Sequence, residues 1–387
     1  VQNISLLETQ QPNGYASLLA AQAGVPLVLP LIKSPGLPNV LELKGFNPLP
    51  VIQAAPGTIP SQPRVNPNIQ PTDLAEPGTT VAGALAPPAL LPPPVGPWAQ
   101  AVLESPAFPN TPIGQVQEAI ALNPTTVVLW LGNNDALVPA LVGAISGLTP
   151  VSAADTTNPS PLANFTGAFD TVIGALAQTH ATLIVANIPD VTEVAFFTPI
   201  TRISQATGLP AGWIAAALGT GTGDYLRFNA LPVAFDILIG KTKGPLPAVC
   251  PLPYPGFPAP NAPCVLTAAD AATVRAHVNG YNAAIAAAVA SVPNAVLVDT
   301  HSLINQISLN GYNVPGRNLN TGYLGGLFTL DGIHPTNTAY AIIANQFITT
   351  MNANLHTNIP PVNVNQIAKQ DPLVFNIGQQ KQFYFQQ

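Results

Sequence analysis

"TTVVLWLGNNDAL", residues 125–137, runs seven apolar or β-branched positions directly into Gly132-Asn133-Asn134-Asp135. The run is apolar on both faces, which suits a strand buried between two helix layers better than one with a wet side. Two further runs have the same character, "ATLIVANI" at 181–188 and "NAVLVDT" at 294–300. Helical patterns fall between and after them, at 113–122, 162–180, 267–291 and 335–351. The third of these opens with "TAAD", a capping box with Asp270 in the acidic position, and continues in Ala-rich helix formers. Strand and helix in this alternation predict an α/β fold, a three-layer α/β/α arrangement around a central parallel sheet.

Composition narrows the class. The chain has 387 residues, 47% hydrophobic and only 7% charged, with 45 prolines and a net charge of −6. Hydrophobicity this high is not that of a disordered chain, and the length allows a sizeable core. The absence of a Lys/Arg cluster argues against nucleic-acid binding. No apolar run reaches the length of a membrane span; the nearest, 282–298, is broken by asparagine and proline. Residues 31–72 and 86–112 are dense in proline, which cannot donate inside a ladder, so both are expected as surface excursions. Residues 195–265 interrupt the rhythm and are expected as a lid-like insertion or an ordinary packed one, within a single domain spanning 1–387. Cys250 and Cys264 flank a Pro-rich loop in an otherwise Cys-free chain. They read best as one loop-closing disulfide and an oxidising compartment, reduced thiols being the alternative.

Three blocks collect the chemistry. Gly132 and Asn134 emerge at the carboxyl end of a strand, the edge where open α/β sheets bind ligands. The asparagine amide there can donate to a developing oxyanion. In "DLAEPGTTV", residues 73–81, Gly78 follows a proline and can present a backbone N–H in a tight turn. In "TLDGIHP", residues 329–335, Asp331 and His334 stand three apart on a turn ahead of an apolar helix, with Pro335 as its expected first residue. Each block alone also fits an ordinary turn. As a set they pair a histidine base and its carboxylate with oxyanion donors.

The order Gly78, Gly132-x-Asn134-Asp135, Asp331-x-x-His334-Pro335 closely resembles the SGNH (GDSL) hydrolase superfamily, including its bacterial esterases and lipases. The resemblance covers nearly the whole chain and is strongest in the last two blocks. It implies His334 as general base, Asp331 as its orienter, and Gly78 and Asn134 as oxyanion-hole donors, with Gly132 and Asp135 in support. It implies "ANIPDV", 186–191, as a structural turn. It also implies an ester substrate, small-molecule or lipid, cleaved through an acyl-enzyme without a cofactor.

One part of the pattern is missing. No Gly-Asp-Ser block occurs anywhere in the chain. Ser5 and Ser17 lie in the first helical region without a preceding strand. Ser146, Ser204 and Ser308 sit in polar or loop contexts with no oxyanion glycine beside them. All read as capping or surface serines. Residues 1–24 resemble the family sequence that directly follows the nucleophile. The serine and the strand delivering it are therefore expected just ahead of Val1, the alternative being a lineage that lost the serine. Losing an interior strand would strand backbone groups in a dry core at about 1–3 kcal/mol each, which favours the first account. The histidines (His180, His277, His301, His334 and His356) show no metal-ligand spacing. The expectation is a secreted, periplasmic or envelope ester hydrolase. A non-catalytic glycan- or lipid-binding protein on the same fold is the alternative.

Overall fold

The computed structural model describes residues 1–46, 49–91, 93–104, 113–143, 159–251 and 261–375. Its centre is a small parallel sheet of β1 (Thr126–Leu129), β2 (Thr182–Ala186) and β3 (Ala295–Val298), ordered β3-β2-β1. Thr126 pairs with Thr182 and Leu129 with Val185 on one side of β2; Ala295 pairs with Leu183 and Val298 with Ala186 on the other. All three strands lie within the runs read from sequence, each shorter by one residue at its start and two at its carboxyl end.

Because successive strand residues point to opposite faces, β2 feeds two cores. Leu183 and Val185 pack with α2 (Asn133–Val142), α3 (Leu162–Ala177) and α4 (Ala268–Ala290), through Ala136, Phe165, Phe169, Val278 and Tyr281. Ile184 and Ala186 pack with α1 (Tyr15–Ala23), α5 (Thr300–Asn310) and α6 (Asn337–Asn354), through Leu19, Ile307, Ile343 and Phe347. The fold is thus mixed α/β with helices against both faces of the sheet. Among the described residues no strand pairs with the far edge of β1, and Val127 and Val128 there are only half-buried. The central β2, by contrast, buries four of its five residues.

Residues 197–266 form a second cluster. Phe197–Pro199, Tyr225–Arg227 and Val265–Leu266 make a small antiparallel sheet, joined by the helices Ile200–Thr207, Ala211–Leu218 and Leu231–Leu238. Cys250 and Cys264 are disulfide-bonded inside its core; the loop residues 252–260 between them lie outside the described set. Thr267 caps α4 by accepting from the Asp270 N–H at 3.1 Å, as its capping motif implies. Among the described residues no helix is long and apolar enough to cross a membrane.

Two local expectations need correction. Pro335 does not begin α6: Thr336 is the cap, its hydroxyl accepting from the Ala339 N–H at 3.2 Å, and Pro335 instead bridges to Phe328. A threonine able to satisfy an orphan amide outranks a proline one position earlier. The Pro-rich segments are also not mere surface excursions. Leu41–Phe46 and Pro50–Ala54 form an antiparallel hairpin, with proline at the first position of a strand, where no ladder donor is lost. Ile32, Leu37, Leu74, Ala101, Val102 and Leu103 build a core of their own; residues 105–112 lie outside the described set.

Beside that core the fold buries acids. Glu118 is fully buried; one carboxylate oxygen accepts from the Gln70 amide at 2.8 Å and the other has no partner among the described residues. Burial pushes its carboxyl up to about 7, against the opposing pull of Gln70 and Arg64. The folded chain therefore holds a proton there that the unfolded chain releases near pH 4.3. Stability from this site is complete below that pH and lost as pH rises through 7. Glu118→Gln is expected to flatten this dependence and to raise stability at pH 8 by about 1–2 kcal/mol, as read from urea unfolding at pH 5 and pH 8.

Candidate functional site

Asp331 sits at the centre of a knot. It is completely buried, and among the described residues its carboxylate takes five hydrogen bonds. Oδ1 accepts from Thr329 Oγ1 at 3.0 Å and from the Ile333 and His334 N–H groups at 2.7 and 2.9 Å. Oδ2 accepts from the Ile4 N–H at 2.5 Å and lies 2.7 Å from His334 Nδ1. Burial acts to raise this carboxyl, but the His334 imidazole and the converging donors outweigh it and hold it below the ordinary carboxylate range. The charged form is thus built in, and it fixes the imidazole with Nδ1 protonated toward Asp331. The His334 ring remains 30% exposed, and no described residue hydrogen-bonds to its Nε2. That nitrogen is the one left to take a proton.

The other sequence-predicted residues form a clamp. Gly132 begins α2 at φ +109°, a left-handed conformation, and a Cβ there would meet Ile188 at 2.7 Å and the Phe165 ring at 2.9 Å. Only glycine fits. From this corner Asn134 donates its side-chain amide to the Thr79 carbonyl at 2.8 Å, while Asp135 accepts from the Val81 N–H at 2.9 Å and from Ser160 Oγ at 2.7 Å. Burial pushes the Asp135 carboxyl up to about 6 despite those donors. Two consecutive side chains therefore hold residues 79–81 and, with them, the turn at Gly78, whose φ of +78° again favours glycine. No described residue accepts from the Gly78 N–H. Sequence-predicted Gly78 and Asn134 are brought together, and Asp135 is what holds them.

The first residues of the chain reach the Asp331 knot. Besides the Ile4 contact, Asn3 accepts from the Leu330 N–H at 3.0 Å and donates its own N–H to Thr329 Oγ1. Val1 receives the Tyr340 hydroxyl on its carbonyl at 2.7 Å. Ile4 adopts φ +66°, a strained conformation for a β-branched residue, which surrounding contacts must enforce.

The serines stand elsewhere. Ser5 donates to the Leu6 carbonyl, Ser204 to Leu209 and Ser308 to Glu193, and Ser17 lies on α1; Ser146 is outside the described residues. None of the described serines bonds to His334. Among the described residues no group of three or more His, Cys, Asp or Glu gathers as metal ligands.

Two features were not legible beforehand. Asn187, in the turn taken as structural, joins the ends of β2 and β3 by donating to Asp299 Oδ1 at 2.9 Å and accepting from the His301 N–H at 2.8 Å. Asp190 nearby pairs with Arg275 at 2.9 Å. Arg227 is buried and donates to the carbonyls of Ala140, Gly143, Pro263 and Val265, closing the carboxyl end of α2. A lone arginine in "GDYLRFNA" was the only signal available. No family model, curated protein or solved structure matches this chain.

Asp331→Asn replaces an ideal acceptor with a group that brings its own donors into a donor-filled pocket. It is expected to cost about 3–5 kcal/mol at pH 7. Because the folded carboxyl lies below the unfolded value near 3.9, the wild-type advantage is complete above that pH and shrinks as pH falls through the folded value. Urea unfolding of both proteins from pH 7 down to pH 3 checks it.

Proposed function

We propose that this chain is the greater part of an SGNH-type serine ester hydrolase, three-layered α/β/α, whose nucleophile is delivered by residues preceding Val1. The observation that carries the proposal is the buried, ionised Asp331 holding His334 with its Nε2 open. A base so oriented is the arrangement that activates a hydroxyl for acyl transfer. The clamped Gly78–Asn134 corner supplies donors of the kind an oxyanion requires. A further observation favours a serine on an additional strand: the unpaired edge of β1 among the described residues.

In this reading the serine Oγ attacks the ester carbonyl while His334 Nε2 takes its proton. The carbonyl oxygen becomes an anion held by the Gly78 N–H and by the Asn134 amide hydrogen not bonded to Thr79. His334 then protonates the departing alkoxide, leaving the acyl-serine. A water, deprotonated by the same nitrogen, releases the acid and restores the enzyme. Asp331 stays charged throughout and keeps the imidazole aligned. The Cys250–Cys264 disulfide supports an oxidising setting, outside the cell or in its envelope.

The test uses the protein extended through the residues that precede Val1. A fluorophosphonate probe is expected to label one serine ahead of Val1, and p-nitrophenyl esters are expected to turn over with a burst. Absence of both in a folded, extended protein would reject hydrolysis and leave the binding-protein reading. His334→Ala is expected to abolish the burst. Asn134→Ala is expected to lower kcat by about 10²–10³ with a smaller change in KM, measured in variants whose circular dichroism matches wild type.

A further inference from the structure

Between the helices of residues 200–238 and the loop at 320–324 lies a cavity of ≈ 560 Å³, within the range of sites that take small organic molecules. Ile203, Leu226, Phe235 and Leu238 form one wall, and Tyr323 and Leu324 the other. Such a lining favours an alkyl chain over a sugar or a nucleotide, whose many polar groups would find few partners.

One cation is set into this lining. Arg202 is half-buried and donates to Thr321 Oγ1 at 3.1 Å. Among the described residues no carboxylate lies within ion-pair distance of it. Glu193, the acid whose charge acts on it, is engaged by the Ser308 hydroxyl at 2.5 Å. The contrast with Arg227 is instructive. Arg227 spends its guanidinium on four backbone carbonyls, whereas Arg202 keeps most of its donors uncommitted beside an apolar cavity. A planar guanidinium matches a carboxylate with two parallel hydrogen bonds. A single cation against an alkyl-lined space suits a monoanion with a tail better than a multiply charged phosphate.

We propose that this cavity binds a fatty-acid anion, with Arg202 on the carboxylate and the apolar walls around the chain. The site is not isolated from the one already described. The Tyr323 hydroxyl donates to the Leu330 carbonyl at 2.8 Å, one residue before Asp331, and its ring lies 4.6 Å from that of Phe228. An occupant of the cavity thus rests on the loop that carries the carboxylate. The binding itself does not depend on hydrolysis, and a titration without turnover reads it separately.

Isothermal titration of the complete protein with decanoate, butanoate and decyltrimethylammonium tests the inference. Decanoate is expected to bind at one site, butanoate more weakly by at least a hundredfold for want of apolar contact, and the cation with the same tail at least tenfold more weakly. Arg202→Leu is expected to erase the preference for the anion, and Arg202→Lys to retain part of it. Equal binding of the two ten-carbon ions by wild type, or no binding of either, would overturn the proposal without recourse to any variant. An unchanged anion preference in folded Arg202→Leu would overturn Arg202 as the carboxylate partner.

Discussion

The Asp331 carboxylate is the constraint on which the site depends. Removing a charge from water costs several kcal/mol, and only good geometry with complete hydrogen bonding repays it. Here the repayment comes from two segments distant in sequence: Thr329, Ile333 and His334 locally, and Ile4 from 327 residues away. The same five bonds that make the buried charge tolerable also orient the imidazole. Orientation of His334 is therefore not an added refinement but the way this charge is accommodated at all. The strained backbone at Ile4 belongs to the same account, since its N–H has to reach an acceptor in a fixed place.

A second constraint works through α2. Its first turn carries Asn134 and Asp135, which hold the 79–81 segment, and its last turn ends on the guanidinium of Arg227. The helix thus links the Gly78 turn to the 197–266 cluster as one packed element. In a chain with 7% charged residues, four of the buried charged side chains, Asp331, Asp135, Arg227 and Arg64, bind backbone groups and join segments distant in sequence. The scarce ions act as fasteners, and Asn, Gln and Thr carry much of the remaining polar pairing.

The sheet was legible in the sequence because its strands are apolar on both faces, a pattern that tolerates few other readings. The Gly132–Asn134–Asp135 corner and the Asp331–His334 pair were legible because their residue types must sit at short, fixed spacing. What could not be read were partners set by tertiary approach. Ile4 offers only a backbone N–H to Asp331, which no side-chain pattern announces. Thr79 and Val81 receive Asn134 and Asp135 through main-chain groups, equally silent. Proline density misled for a related reason: it forbids ladder donation at the proline itself, yet Pro50 at a strand start and the apolar residues between prolines pack normally. The fatty-acid cavity draws its walls from residues 203–238 and 323–324, segments that show no shared motif.

The contact between Ile4 and Asp331 also has a temporal side. The Ile4 N–H and the carboxylate that accepts it stand 327 residues apart, so this bond closes only after the long stretch between them has been made. Contacts of such sequence separation form late, because loop closure must be paid before they give anything back. Until then the Asp331 loop lacks the Ile4 donor. A chain of this kind passes through partly folded states with apolar surface exposed before the Asp331 knot closes. The knot that orients His334 is a product of a late step of folding, so agents that hold the chain open would delay its closure without touching its residues.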